Sequence, residues 1–284
     1  MITLSNLLAM GDRSLADLNG SLVLVGAGKM GSALLDGWLN LGLDFCKVVL
    51  IEPQPSLQIA TYTARGARLN PALDEVNDAS VVVVAVKPQM ADDVVPTLRA
   101  LARPTTLTIS IMAGRTLKFF SKSLRGKAVV RAMPNTPASI GRGITVAVAN
   151  KRVGDGERAL AHKLLAAVGA VEWVDEETLL DAVTAVSGSG PAYVFLLAES
   201  LARAGVAAGL PSELAARLAR ATVSGSGELL HNSQLDPATL RENVTSPGGT
   251  TAAALDVLMG SRGLDPLMTK AIAAAVKRSR ELAG

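Results

Sequence analysis

The chain has 284 residues, which is enough for two domains with hydrophobic cores of their own. Its formal net charge is only +3 and no block of Lys and Arg is present, which excludes the charge pattern of a nucleic-acid-binding protein. The single cysteine, Cys46, excludes an intramolecular disulfide and a cysteine-based zinc site; we interpret it as a small core residue and predict no metal site. The longest apolar runs are too short to span a membrane and no secretory signal is evident, so we expect a cytoplasmic protein without a membrane partner.

Residues 1–20 show no strand pattern, and we expect an N-terminal extension that packs a short helix onto the surface. The apolar run at residues 22–25 then predicts a strand buried on both faces of a parallel sheet. It is followed by Gly26, Gly28 and Gly31, in the spacing G-x-G-x-x-G, and by apolar residues at helical spacing. In this pattern the first glycine permits a tight turn, the second lets a pyrophosphate approach the backbone, and the third lets the helix lie close to the strand. The sequence therefore predicts a bound dinucleotide, although a tight structural turn would also explain the glycines.

A second apolar run, residues 48–51, ends in Glu52. An acidic side chain at this place can accept hydrogen bonds from the adenosine ribose of a dinucleotide; the alternative is a solvated carboxylate at a strand end. Glu52 suits a 2′-hydroxyl and repels a 2′-phosphate, and residues 53–56 contain no basic side chain. We therefore expect NADH to be used at least as well as NADPH.

The next residues alternate between strand and helix patterns, which predicts an α/β doubly wound sheet over residues 21–174. Strands are predicted at 67–69, 80–86, 106–111, 128–133, 144–149 and 171–174. Helices are predicted to begin within residues 53–60 and to span 90–101, 117–124 and 155–168. Lys87 and Pro88 follow the strand at 80–86, at the carboxyl edge where ligands bind in open α/β sheets. We predict that residues 134–143 form an extended loop at the same edge, which contacts the cofactor rather than only connecting elements.

The strand pattern stops after Asp175, and residues 175–284 are predicted to form a helical domain. Asp236 and Asp265 each precede a proline, which is typical of a helix N-cap followed by the first helical residue. The helix over residues 192–208 is apolar nearly all round. It is therefore either the core helix of a monomer or, as we favour, part of a subunit interface.

One segment of the helical half has an unusual composition. Residues 246–249, Ser-Pro-Gly-Gly, predict a turn, and a helix begins at Thr250 or Thr251. Free amides and hydroxyls at such a helix start can bind a carboxylate. A well-capped helix start would explain one Thr and one Gly, but not two glycines and three neighbouring hydroxyls.

Taken together, these segments resemble the pyrroline-5-carboxylate reductase family over most of the chain. The likeness lies in VGAGKMGSALL (25–35), AVKPQ (85–89), RAMPNTPA (131–138), VSGSGPAYVF (186–195) and ENVTSPGGTTAAAL (242–255). It implies a Rossmann-like domain followed by an all-α dimerisation and substrate-binding domain. It also implies reduction of 1-pyrroline-5-carboxylate to L-proline by NADH or NADPH. For the assembly it implies a homodimer formed through the helical domain, and a decamer of dimers is the larger assembly that we consider.

The resemblance also implies roles for single residues. Thr251 is the catalytic candidate, because its hydroxyl would position the imine nitrogen of the substrate. The substrate-binding candidates are Ser246, Gly248, Gly249, Thr250 and Thr251. We expect the substrate carboxylate on the amides of Gly248, Gly249 and Thr250, helped by the Ser246 hydroxyl. The cofactor-binding candidates are Gly26, Gly28, Lys29, Met30, Gly31, Glu52, Val86, Lys87, Pro88, Met133, Pro134, Asn135 and Asn243. Residues 187–190 either border the substrate pocket or let two helices meet, and the sequence does not distinguish these.

Two other functions are compatible with the predicted fold. Related two-domain dehydrogenases act on hydroxy acids, but they carry a catalytic lysine in the second half, and this chain has no lysine between Lys163 and Lys270. A non-catalytic dinucleotide-binding protein would not need the carboxylate site at residues 246–251. We therefore favour the imino-acid reductase.

Overall fold

The computed structural model describes residues 14–283. The described residues form two compact units, of which the second is Ser189–Ala275 and the first contains the other described residues. The predicted domain boundary after residue 174 differs from this division, because residues 175–188 and the end of the last helix pack with the first unit. Leu180 is fully buried there, and the Ser279 hydroxyl donates to Asp181 Oδ1 at 2.7 Å.

Eight strands form one sheet in the described part of the first unit. They are β1 Ser21–Val25, β2 Val48–Ile51, β3 Arg68–Leu69, β4 Ala79–Val84, β5 Leu107–Ser110, β6 Val129–Met133, β7 Gly143–Ala149 and β8 Gly169–Trp173. Their spatial order is β3-β2-β1-β4-β5-β6-β7-β8, and every pair is parallel except the antiparallel pair β6 and β7. This confirms the predicted doubly wound, Rossmann-like sheet.

Helices cover both faces of the sheet, because the buried side chains of a strand alternate between its two faces. The helices of this unit are α1 Lys29–Asn40, α2 Leu57–Ala64, α3 Ala91–Thr97, α4 Leu117–Ser123, α5 Asp155–Leu165 and α6 Leu179–Val183. In β1, Leu22 and Leu24 belong to the cluster that includes Trp38 of α1, whereas Val23 and Val25 belong to the cluster on the other face. The Trp38 indole donates to the backbone oxygen of residue 164 in α5 at 2.8 Å, so a polar contact joins two helices of the same layer.

Four details of the first unit differ from the sequence predictions. The strand predicted at 80–86 ends at Val84, and the predicted extended loop contains a 3-10 helix, Thr136–Ile140. Cys46 is exposed rather than in the core, because it lies in a short 3-10 helix ahead of β2. Within the predicted N-terminal extension, residues 14–20 form no helix and bury Leu15 and Leu18 in the core; residues 1–13 lie outside the described part.

The second unit is helical, as predicted. It contains α7 Gly190–Ala207, α8 Ser212–Asn232, α9 Pro237–Asn243, α10 Thr250–Leu258 and most of α11 Leu264–Ala283. Asp236 caps α9 as predicted, since its carboxylate accepts from the amides of Ala238 and Thr239. The hydrogen bond from the Thr239 hydroxyl, followed by these amide bonds, lowers the pKa of Asp236. Asp265 is not an N-cap, because α11 already begins at Leu264.

Helix α7 is almost entirely exposed in the single chain. None of its residues is buried, and Phe195 is 64% exposed. Within the described residues, the helical stretch Leu179–Ala207 is long and apolar enough to cross a membrane by length and composition alone, and only 11% of its most apolar window is buried. The sequence analysis considered uninterrupted apolar runs and did not identify this stretch; buried core helices of soluble proteins pass the same test.

Candidate active site

The glycine motif forms the loop between β1 and α1. Gly26 has φ +91°, and a side chain there would lie 2.9 Å from the backbone of Ala85 and Val86. A Cβ at Gly31 would lie 2.3 Å from the carbonyl oxygen of Gly26. A Cβ at Gly28, in contrast, would meet nothing within 4 Å. Gly26 and Gly31 are therefore needed by the fold, whereas Gly28 keeps open the space in front of the loop.

Helix α1 begins beside that space. Its N-cap is Gly28, no side chain caps it, and its first turn carries no acidic residue. Its first amides, which include those of Lys29 and Met30, are thus not satisfied by a capping side chain. Amides and a helix dipole of this kind favour a bound phosphate. The loop fits the pyrophosphate of a dinucleotide, since Gly28 leaves a cradle that a Cβ would fill.

Glu52 follows β2 and connects two loops of the site. Its Oε2 accepts from the amide of Ala27, inside the glycine motif, at 2.8 Å, and its Oε1 accepts from the amide of Gln54 at 3.0 Å. Asn70 holds the backbone of Glu52, donating to its carbonyl at 2.9 Å and accepting from its amide at 2.8 Å. The sequence analysis identified Glu52 but missed Asn70, which only the pairing of β3 with β2 brings next to it.

The loop after β4 contains the candidates Val86, Lys87 and Pro88. Lys87 precedes a 3-10 helix, Pro88–Met90, that begins with the proline. The carbonyl of Pro88 accepts two hydrogen bonds from the guanidinium of Arg115, at 3.2 and 3.1 Å, and Arg115 also pairs with Asp92 at 2.7 Å. Arg115 therefore fixes this loop, although nothing in its local sequence indicated such a role.

The candidates Met133, Pro134 and Asn135 follow β6. The Asn135 side-chain oxygen accepts from the amide of Ile144 at 2.9 Å and so ties this loop to the start of β7. A Cβ at Gly188 would lie only 2.6 Å from Met133 Cε. The prediction left open whether residues 187–190 border the substrate pocket or let two helices meet; the neighbour of Gly188 here is Met133 at the end of β6, so this contact does not distinguish the two.

A π-helix, Thr184–Gly188, leads up to this contact. Such turns often occur at functional sites. The hydroxyl of Ser187 in this turn is buried and has no hydrogen-bond partner among the described residues.

The substrate candidates lie in the second unit. Gly248 has φ +67°, the amide of Gly249 donates to the carbonyl of Ser246 at 3.0 Å, and α10 begins at Thr250 as predicted. Gly249 is the N-cap, and no side chain caps the helix. Ser246 and Thr250 are exposed, so this helix start is accessible to an anion in the single chain.

The candidates thus form two groups, one in each unit. In the first unit, β2, β1 and β4 are neighbours, so the loops with Glu52, Gly28 and Lys87 lie side by side at the carboxyl edge. Asn135 lies at the same edge but beyond β5. Ser246, Gly248, Gly249, Thr250 and Thr251 share one turn and helix start in the second unit, and Asn243 ends the preceding helix α9.

Comparisons with known proteins identify the family. Residues 177–282 match a family model described as pyrroline-5-carboxylate reductase dimerisation, and residues 21–114 match one described as NADP oxidoreductase, coenzyme F420-dependent. A relative from Synechocystis named pyrroline-5-carboxylate reductase is 41% identical over 264 residues, which cover 92% of this chain and 97% of the relative. The chain belongs to the pyrroline-5-carboxylate reductase family. The resemblance predicted from the sequence motifs is thereby confirmed, and the chain is an NAD(P)-dependent oxidoreductase of this family.

Solved structures of the family have the same fold. A pyrroline-5-carboxylate reductase from Coxiella burnetii matches with a TM-score of 0.85 and 34% identity, over 93% of this chain and 99% of that one. A second, from Plasmodium falciparum, has NADP bound and matches with a TM-score of 0.78 and 29% identity, over 93% and 98% of the two chains. Among the relatives found by sequence, a pyrroline-5-carboxylate reductase from pea is 38% identical over 92% of this chain and 96% of its own length.

Proposed function

We propose that this chain reduces 1-pyrroline-5-carboxylate to L-proline by hydride transfer from NAD(P)H, the last step of proline biosynthesis. The family supplies the reaction. The observation in this chain that carries the proposal is the uncapped, exposed start of α10 at Thr250, in a protein that also has an open glycine loop for a dinucleotide. An anionic substrate and an anionic cofactor each have a helix start that suits them.

The substrate is a cyclic imine with a carboxylate. The amides of Gly248 and Thr250 bind the carboxylate, helped by the Ser246 hydroxyl, and this anchor orients the ring; the Gly249 amide, also expected there from the sequence, donates to the Ser246 carbonyl instead. The nicotinamide supplies a hydride to the carbon of the C=N bond, and the nitrogen receives a proton. Thr251 donates a hydrogen bond to that nitrogen; since a threonine hydroxyl does not ionise near neutral pH, its role is to position the imine and relay a proton from water. Holding both reactants makes the transfer effectively unimolecular.

Glu52 sets the cofactor preference in this proposal. Its carboxylate is held between two backbone amides and keeps lone pairs for the ribose hydroxyls, so NADH binds at least as well as NADPH. Lys87, Pro88, Pro134 and Asn135 frame the nicotinamide ribose.

The helical unit forms a homodimer. Support comes from the match to a dimerisation model and from the apolar side chains that α7 leaves exposed, among them Phe195, Leu196 and Leu197. Burial of such side chains against a second copy is worth about 1.5–3 kcal/mol each. A second copy of the chain would bury the apolar side chains of α7 without a membrane, which agrees with a cytoplasmic enzyme. We propose a decamer of dimers as the larger assembly.

The experiment is a side-by-side assay of the purified protein with the imine and either NADH or NADPH. We expect oxidation of the nucleotide to depend on the imine, L-proline to form in equal amount, and the KM for NADH to be no higher than that for NADPH. Hydroxy-acid substrates in the same assay test the alternative dehydrogenase. Nucleotide binding without turnover of any substrate would favour the non-catalytic alternative, and a much lower KM for NADPH would refute the role of Glu52.

A further inference from the structure

We propose that Asn70 is a positioning residue that sets the cofactor selectivity of this enzyme through Glu52. Its side-chain amide fixes the backbone of Glu52, so that the carboxylate stays at the 2′ position of the adenosine ribose. This inference rests on the proposed contact between Glu52 and the dinucleotide.

Asn70 is held in a conformation that few residues adopt. Its φ is +47°, and only Arg125 shares a positive φ among the described residues other than glycine. Its own amide continues the β2 and β3 ladder by donating to the carbonyl of Leu50 at 2.8 Å. Asn tolerates the left-handed region better than most residues, because its short polar side chain can hydrogen-bond locally.

In this conformation the side chain reaches Glu52, the first residue after β2. Its Oδ1 accepts from the amide of Glu52 at 2.8 Å, and its Nδ2 donates to the carbonyl of Glu52 at 2.9 Å. The primary amide thus replaces the pair of hydrogen bonds that a further ladder residue would supply. Asn and Gln carry a donor and an acceptor side by side on one primary amide, and Asn has the shorter reach.

Glu52 is therefore held at four atoms. Asn70 fixes its backbone N–H and C=O, while the amides of Ala27 and Gln54 fix its two carboxylate oxygens. A carboxylate held in this way has little freedom to turn away from a ligand. It can accept a hydrogen bond from the 2′-hydroxyl of NADH without reorganisation. It cannot move away from the 2′-phosphate of NADPH, so the repulsion between the two negative charges remains.

Loss of the Asn70 side chain removes both of its hydrogen bonds to the backbone of Glu52, so this backbone and its carboxylate gain freedom to move. The 2′-hydroxyl of NADH then loses a hydrogen-bond acceptor that was held in position, so the affinity for NADH falls. The 2′-phosphate of NADPH is repelled less by the Glu52 carboxylate, so the affinity for NADPH rises. If Asn70 only tied two loops together, its loss would lower stability but would leave the ratio of the two affinities unchanged. That ratio separates the two roles.

The test uses the intact chain with four variants: Asn70→Gly, Glu52→Ala, the double variant, and Arg125→Gly as a matched control. Glycine accepts a positive φ, so Asn70→Gly removes the side chain without straining the backbone. Arg125→Gly makes the same backbone change at φ +54°, in the loop before β6. Dissociation constants for NADH and NADPH are measured by fluorescence titration without the imine, so the readout does not depend on turnover.

We expect Asn70→Gly to shift the ratio of the NADH and NADPH dissociation constants about tenfold toward NADPH, the size of the loss of one ordinary hydrogen bond between the ribose and the Glu52 carboxylate. The shift should disappear when Glu52 is already alanine, and Arg125→Gly should leave the ratio unchanged. An unchanged ratio in Asn70→Gly, or an equal shift with and without Glu52, would overturn the proposal. If Glu52→Ala itself does not change the ratio, the role of Glu52 fails and that of Asn70 with it, whereas the reductase proposal is judged separately by proline formation.

Discussion

The three glycines of the β1–α1 loop differ in what they do, and alanine substitutions should separate their roles. A Cβ at Gly28 meets nothing within 4 Å, whereas a Cβ at Gly31 would lie 2.3 Å from the carbonyl oxygen of Gly26. Ordinary contacts of a Cβ begin at 3.4 Å. Gly28→Ala should therefore leave the fold intact and block the ligand, while Gly31→Ala should strain the fold itself.

The expected sizes follow from these distances. Gly31→Ala forces the Gly26 carbonyl to move by about 1 Å, and overpacking of this kind costs about 1–3 kcal/mol. For an enzyme of this size about 2 kcal/mol lowers Tm by roughly 4–8 °C. Gly28→Ala costs at most about 1 kcal/mol as a poorer N-cap. Its methyl group, however, lies where the pyrophosphate must approach; loss of one charge-assisted hydrogen bond, about 1.5–3 kcal/mol, weakens dinucleotide binding about tenfold to a hundredfold.

The assay combines thermal unfolding of the free protein with a fluorescence titration of NADH. Gly28→Ala should have nearly the Tm of the wild type and a much higher Kd, while Gly31→Ala should lose stability. If Gly28→Ala binds NADH as tightly as the wild type, the pyrophosphate does not lie against this loop, and our placement of the cofactor is wrong. An unchanged Tm in Gly31→Ala would show that the short distance to Gly26 is relieved at no cost.

Three further predictions concern other parts of the chain. Thr251→Ala should lower kcat, because the imine nitrogen loses its hydrogen-bond donor, and steady-state kinetics with the imine will measure this. Leu197→Glu, which puts a charge on α7, should reduce the wild-type assembly to a smaller species in sedimentation velocity. Burial, followed by a hydrogen bond to Asp36, raises the pKa of Tyr62 to about 12; its neutral form therefore adds stability that is present below pH 10 and is lost as the pH rises through about 12, where tyrosinate absorbance should report its ionisation.

Each of these has a control or a contradicting outcome. Thr250→Ala retains its backbone amide and should keep far more of the activity than Thr251→Ala; equal losses would refute the distinct role of Thr251. Leu57→Glu changes a leucine that is 91% exposed in the first unit and should leave the assembly intact. Sedimentation of Leu197→Glu like the wild type would remove α7 from the interface. Full ionisation of Tyr62 near pH 10 would contradict its hydrogen bond to Asp36.

The sequence alone determined the order of the elements and identified the loops that we propose as the sites of the chemistry. Residues 22–25 and 81–84 are continuous apolar runs, and a strand buried on both faces requires such a run wherever it lies in the chain. The glycine spacing after β1 and the turn before Thr250 are local requirements of the backbone, so they too are readable without the fold.

Only the tertiary structure decided which residues support those places. Asn70 stands next to Glu52 because β3 pairs with β2, and Arg115 reaches Pro88 across the carboxyl edge of the sheet. Neither Asn70 nor Arg115 can be identified as a supporting residue from its own local sequence. The exposed position of Cys46 and the packing of residues 175–188 with the sheet unit were likewise missed, because burial depends on what the rest of the chain brings near a residue, and hydrophobic spacing within one segment does not contain that information.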